Sequence, residues 1–454
     1  MPKQAKSAGQ RARTGKLRTQ ARKADPLERC MELWLGLFAA GYLLFPGFSG
    51  YGGISGSKTW CLYALAGLLL ILGAGLLIRD LRAKRLRPLS PAQITALIFL
   101  GCTLVSAAFC ETEQGSPWYD ATAHEAALTL SLYVLLFLTV SRWGLPSERL
   151  FRVLFWALAV FCVVCAAQAL GGNPLNLYPQ GLNFYDGYGV RYKGAYAGTL
   201  GNVDIVSAFL ALAAPMLLLH TRGQRPKEAW PCWLLAAVCV GIMLWIRVLC
   251  GLVGLVLGGA VCALVLCPEG KRKWIAATLA GLALLGLGLL WFLDLPVKFL
   301  HELHEILHGR FEDSFGTGRF FIWRQMLGRI PDRLWTGVGP DMARYSGLEP
   351  FIRYENGVEV ARATVTDAHC YPLHILYCQG LPALLAWLST VGLVLFHWVR
   401  NRRDRATAIL GGGLACFLGA MLFCFSSVIV MPFFWLTMGL IEAKTNQLRK
   451  KEKP

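Results

Sequence analysis

Residues 230–267 read WPCWLLAAVCVGIMLWIRVLCGLVGLVLGGAVCALVLC, a stretch whose one charged side chain is Arg247. Apolar runs flank that arginine at 230–246 and 249–267, and each comes close to the ~20 residues an α-helix needs to cross a bilayer. Outward from this pair, similar runs lie at about 31–49, 60–78, 91–110, 126–141, 152–170, 199–219, 274–293, 371–397, 407–426 and 428–442. The pattern predicts an all-α, polytopic integral membrane protein with about twelve transmembrane helices. The pairs 230–246 with 249–267 and 407–426 with 428–442 have almost nothing between them. Each reads either as two crossings or as one broken or re-entrant helix.

Composition agrees. Of 454 residues, 55% are hydrophobic and 16% charged, against roughly 25% charged in ordinary globular chains. That balance excludes a soluble protein. The 48 glycines and 15 tryptophans suit bilayer-spanning helices and their aromatic belts.

The net charge of +18 could also indicate nucleic-acid binding, so the positions of the charges decide. Of 45 cations, 32 fall in the N-terminal arm and in alternate loops, at 79–87, 142–152, 222–227, 271–273, 400–405 and 444–453. This is the positive-inside pattern. It puts both termini on the cytoplasmic side, offers membrane lipids with anionic headgroups as partners of the arm, and leaves no call for nucleic acid. The first span has no cleavage pattern after it and is expected to stay as a signal anchor.

The resulting organisation is a basic cytoplasmic arm over 1–30, spans one to nine over 31–293, a large extracytoplasmic loop with amphipathic helices over 294–370, spans ten to twelve over 371–442, and a basic cytoplasmic tail over 443–454. Smaller outer segments lie at 50–59, 111–125 and 171–198. The 294–370 segment has 77 residues with nine cations and eleven anions, enough to fold over the membrane and carry chemistry.

Several motifs compete for that chemistry. Most of the fifteen cysteines, including the redox-spaced Cys162 and Cys165, fall inside spans, where a thiol packs as a small hydrophobe. His304-Glu305-Ile306-Leu307-His308 matches the H-E-x-x-H zinc motif. However, Phe299, Leu300, Leu303, Leu307 and Phe311 form one stripe with the histidines beside it, which reads as an amphipathic helix on the outer membrane surface. No third ligand stands at a recognisable spacing.

The segment from Arg191 and Lys193 through Gly198-Thr199-Leu200-Gly201-Asn202 to Asp204 leads into a span. Its cations sit near headgroup level, where they can meet a lipid-linked phosphate or simply snorkel. Arg247, between two apolar helices at their outer ends, needs an anion or water. Gly316-Thr317-Gly318-Arg319 precedes an amphipathic helix containing Trp323, followed by Trp335-Thr336-Gly337-Val338-Gly339-Pro340. Asp367-Ala368-His369-Cys370-Tyr371 stands at the mouth of the next span, before Gln379-Gly380-Leu381. A histidine at the water boundary, beside an aspartate able to orient its ring, is a general-base candidate.

In their order these segments resemble the O-antigen ligase and O-antigen polymerase superfamily. Residues 198–202 resemble its G-T-F-G-N-x-N element. Arg319, Trp323 and the 337–340 run resemble its R-x-x-x-W and P-L-x-G-x-G-x-G elements. Asp367-Ala368-His369 with Gly380 resembles its A-H-N-x-(Y/F)-L element and the E-G pair that follows. The likeness covers about 190–395; Tyr196 stands where a basic residue is common, and Cys370 where Asn is. The resemblance implies metal-independent, cofactor-free inverting transfer of a glycan from an undecaprenyl-diphosphate carrier to a glycan, lipid or protein acceptor. The transfer would take place on the outer face of a bacterial cytoplasmic (inner) membrane. It implies His369 as the base for the acceptor hydroxyl, and Arg319 and Arg247 as catalytic cations. Arg191, Lys193, Asn202, Trp323, Asp367 and Tyr371 are then expected to bind substrate. A polymerase shares this chemistry and differs in its acceptor, a second lipid-linked glycan. A transporter of polysaccharide or lipid-linked sugar would place polar groups near mid-membrane, whereas Arg247, Arg319 and His369 fall at the outer face. A metalloprotease is the remaining alternative.

Overall fold

The computed structural model describes residues 25–119, 124–186, 192–355 and 358–452. It is a bundle of apolar helices with a small cap. Helix α1 (Pro26–Leu37) continues through a π-helical turn, Phe38–Tyr42, and is followed by α2 (Ile54–Arg82), α3 (Pro91–Ala108), α4 (Ala127–Trp143) and α5 (Glu148–Ala169). A two-residue hairpin, β1 (Tyr196–Ala197) with β2 (Gly201–Asn202), leads into α6 (Val203–His220), α7 (Pro226–Trp245), α8 (Leu249–Leu266) and α9 (Arg272–Phe292). The cap holds α10 (Lys298–Leu307), α11 (Phe315–Arg329) and an antiparallel hairpin of β3 (Phe351–Glu355) and β4 (Val358–Ala363). Then come α12 (Tyr371–Arg400), α13 (Arg405–Met421) and α14 (Met431–Glu452).

Among the described residues, eight helical segments are long and apolar enough to cross a membrane, and Ala127–Trp143 and Arg405–Met421 are shorter apolar helices. The starts are written locally. Proline occupies the first turn of α1, α3, α7 and α12, where its missing N–H costs nothing. Ser90 and Gln93 close a capping box on α3, Ser147 caps α5 and Asp404 caps α13.

Helix α13 is the axis of the core, buried along nearly its whole length against α6 and α8. The approach to α8 is close because Gly254 and Gly258 face it: a Cβ on either would lie within 2.5 Å of Cys416 backbone atoms. Helix α9 buries none of its residues and leans mainly on its neighbours α8 and α10.

The 230–267 stretch is two separate helices joined by residues 246–248, the first of the two readings of that pair. Three other expectations change. Helix α13 ends at Met421, and a nine-residue non-helical connector, 422–430, precedes α14. The basic tail is not separate: α14 runs on through Lys444, Arg449 and Lys450. The outer segment also holds the β3–β4 hairpin, which the helical reading of that segment did not include.

Candidate active site

The G-T-L-G-N run is the turn of the β1–β2 hairpin. Gly198 has φ +58, and a Cβ there would stand 2.5 Å from the Phe161 ring. Its N–H donates to Gln168 Oε1 (2.7 Å) and its carbonyl accepts from Tyr51 Oη (2.8 Å). Thr199 Oγ1 donates to the Leu43 carbonyl (2.7 Å), which also accepts from the buried Lys58 ammonium (3.2 Å). The hairpin is therefore a buried staple that sets the start of α6. Asn202 Oδ1 caps that helix by accepting the Asp204 N–H (2.8 Å). Lys193 is exposed in the preceding turn, and Arg191 lies outside the described residues.

Arg319 is presented by a left-handed turn: Gly316, Thr317 and Gly318 have φ of 60°, 60° and 87°. Glu302 of α10, buried, anchors the turn by accepting the Gly316 N–H (3.1 Å). Arg319 Nη1 donates to the Gly316 carbonyl (2.6 Å) and Thr317 Oγ1 (2.8 Å), and Nη2 donates to the Phe423 carbonyl (3.0 Å). All three acceptors are neutral, Nε is buried without a partner, and no carboxylate pairs with this guanidinium among the described residues. Its charge is left for an anion.

The Trp335–Pro340 run does structural work that its motif did not announce. Helix α12 breaks at Gly380 (φ 83°, ψ 173°), one residue before the helix-breaking Pro382 flank. The carbonyls freed by the break are taken up by the loop: Val338 N–H donates to the Tyr377 carbonyl (3.0 Å) and Gly339 N–H to the Cys378 carbonyl (2.8 Å). In return Leu381 N–H donates to the Leu334 carbonyl (2.8 Å), and Ser106 Oγ of α3 donates to the Cys378 carbonyl (3.0 Å). Non-helical backbone at this depth is tolerated because these freed groups find partners in the loop and in α3. Ile322 and Met326 of α11 pack with Val365 and Ala368 on Tyr377 and Cys378, which fixes the cap over the mouth of α12.

His369 stands at that mouth with φ 49°. Its N–H donates to Asp367 Oδ1 (2.6 Å), its ring meets Phe425 edge-on at 5.4 Å, and its Nδ1 is buried with no hydrogen-bond partner. Trp323 Nε1 donates to the Ala368 carbonyl (2.7 Å), tying α11 to the same loop. Burial holds the His369 imidazole below the usual histidine range; the Arg319 charge adds to this, and the Asp367 and Asp204 carboxylates oppose it. Arg319 and His369 thus meet around the 423–425 connector.

Asp367 does not orient the His369 ring. Its second oxygen, Oδ2, pairs with His374 Nδ1 at 3.1 Å and accepts from Ser426 Oγ at 3.5 Å. Behind it lie two more carboxylates. Glu125 (3% exposed) accepts from Tyr133 Oη (2.6 Å), and its N–H donates to Asp341 Oδ2 (3.1 Å). Burial pushes Glu125 up to about 7, against the lowering pull of Ser426 and Tyr133. Tyr371 turns into the core, its ring edge-on to Trp387 at 5.3 Å and its buried hydroxyl without a partner. Arg247 is exposed in the α7–α8 connector at φ 57° and makes no ion pair among the described residues. Cys250, one turn on, and Cys424 both donate weakly to the Asp204 carbonyl (3.6 and 3.7 Å), so that connector lies at the His369 end of the bundle.

The H-E-x-x-H side chains are engaged elsewhere. His304 Nδ1 bonds the Leu290 carbonyl (2.7 Å), His308 Nδ1 bonds the His304 carbonyl (2.8 Å), and Glu305 forms a two-point pair with Arg310.

Sequence reasoning missed Asp204, Glu125, Asp341, His374 and Ser426. Two signals were available: Glu125 abuts a predicted span, and Asp341 directly follows the 335–340 run.

A helical membrane protein with an unpaired arginine and a partnerless histidine at the mouth of a broken helix is the class this site defines. Residues 234–388 match the family model described as O-antigen ligase. The matched segment includes Arg247, Arg319, Trp323, Asp367, His369 and Gly380; it supports the O-antigen ligase superfamily and a function of the ligase or polymerase type. No curated protein matches the chain.

Proposed function

We propose that the protein transfers a glycan from an undecaprenyl-diphosphate carrier to an acceptor hydroxyl at the outer face of the cytoplasmic membrane. The observation that carries this is the meeting of the Arg319 guanidinium, which has no carboxylate partner among the described residues, with the His369 imidazole, whose proton affinity burial lowers and whose Nδ1 has no hydrogen-bond partner. In the transfer, an imidazole nitrogen takes the proton of the acceptor hydroxyl as its oxygen attacks the anomeric carbon. The bond from that carbon to the diphosphate oxygen breaks, its electron pair stays on the diphosphate, and configuration inverts. Arg319 stabilises the charge gathering on the leaving group from a partly dry position, where such a contact is strongest. Arg247, at the same end of the bundle, is a second cation for the carrier. Trp323 and Asp367 hold the loop that carries His369.

The test is the glycan profile of cells lacking the gene and complemented with wild type, His369→Ala or His304→Ala. Lost surface glycan, accumulated lipid-linked glycan and rescue by all but His369→Ala support the reading. Full rescue by His369→Ala, or dependence on His304 instead, overturns it.

A further inference from the structure

Helix α4 begins two residues after Glu125, beside the candidate site, and ends at Trp143 in a second, unassigned place. There the ends of α2, α4 and α14 and the start of α3 enclose a cavity of about 890 Å³. On one wall three carboxylates gather around a single guanidinium. Arg79 reaches Asp25 (2.7 Å), Asp80 (2.7 Å) and Glu28 (3.4 Å), and Trp143 Nε1 donates to the free Asp80 oxygen (2.9 Å). Each acid lining the cavity thus contacts Arg79.

Four more cations line it: Arg85, Arg87, Arg142 and Lys450. None of them forms an ion pair among the described residues. Arg142 Nη2 donates to the Arg87 carbonyl (2.6 Å), and its guanidinium lies over the Trp143 ring, 5.6 Å from the centroid. Five cations against three carboxylates leave the cleft with a net charge of +2, which an anion held among Arg85, Arg87, Arg142 and Lys450 would offset. Guanidinium forks match phosphate oxygens in particular. Asn446 and Gln447 add neutral hydrogen-bonding groups, and Pro88 and Leu145 line the cavity with apolar surface at the helix ends. We propose that this cleft binds a phosphate ester, with the headgroup of an anionic phospholipid as its source. The site is independent of the transferase reading.

The experiment uses the full-length protein, delipidated in a neutral detergent and examined by native mass spectrometry and thermal melting. The probes are phosphatidylglycerol, phosphatidylcholine of the same chains, and free glycerol phosphate. Phosphatidylglycerol is expected to stay bound and raise the melting temperature, with phosphatidylcholine indifferent. The Arg87→Ala/Arg142→Ala/Lys450→Ala variant should bind it roughly a hundredfold more weakly, about fivefold for each cation removed. Lys450→Glu, at an exposed helix end, is the milder variant should the triple one fail to fold, and it should weaken binding in the same direction. Stabilisation by glycerol phosphate equal to that by the lipid keeps the site and assigns it to a soluble phosphate. Equal retention of the two lipids by wild type, or unchanged phosphatidylglycerol binding in both variants, overturns the proposal.

Discussion

His369 sits in a backbone conformation that costs a non-glycine residue roughly 1 kcal/mol, and one hydrogen bond to Asp367 holds it there. Because burial lowers its proton affinity, the neutral, base-competent form persists to lower pH than for an ordinary histidine. The acid limb of the kcat/KM–pH profile is therefore expected below ~6.5; a limb above that value removes His369 as the base. His374 acts one step back, by pairing with the carboxylate that holds His369. His374→Leu leaves the Asp367 carboxylate without that partner. It should lower kcat by the order of 10²-fold with donor KM little changed, move the acid limb upward, and be partly rescued by His374→Gln. Glu125 gives a stability prediction. Its folded value, about 7, lies above the ordinary 4.5, so the fold favours the protonated form. The stability this lends is whole below 4.5 and is lost as pH rises through 7, by roughly 2–3 kcal/mol. Melting curves of the purified protein should show that loss, and Glu125→Gln should lack it.

At the scale of elements, the site depends on one broken helix and one loop that repairs it. Gly380 and Gly337 face each other across the repair: a Cβ on Gly380 would lie 2.4 Å from the Trp335 carbonyl oxygen, and one on Gly337 2.4 Å from Cys378 backbone atoms. Gly380→Ala should thus cost about 2 kcal/mol or more and reduce transfer together with thermal stability, measured side by side on the purified protein. A variant as stable and active as wild type would mean that the break is not needed. These glycines were visible in the sequence as motif positions, but their task was not. A hydrogen-bond exchange between residues forty apart leaves no periodic trace, whereas the apolar runs of α6 or α8 announce themselves locally. The β3–β4 hairpin escaped for the same reason, lying in a charge-mixed segment without strong alternation.

Across the whole molecule, two polar regions occupy the two ends of α4, the His369 site at its start and the basic cleft at its end. If the positive-inside reading holds, a phosphatase reporter inserted after Gly347 should be active outside the cell and one after Lys84 inactive; the reverse pattern would invert the orientation. The helices and their order follow from composition and spacing, because a bilayer imposes length and hydrophobicity on every span separately. So does the candidacy of Arg319 and His369, which carry a resemblance in their own short motifs. The company those residues keep was decided only by tertiary structure. Asp367 serves His374 and the His369 backbone rather than its ring, the 422–430 connector supplies Phe423, Phe425 and Ser426, and Glu125 and Asp341 arrive from distant loops. Such contacts are set by which buried polar groups must find partners once the helices have packed, and that condition exists only in the folded chain.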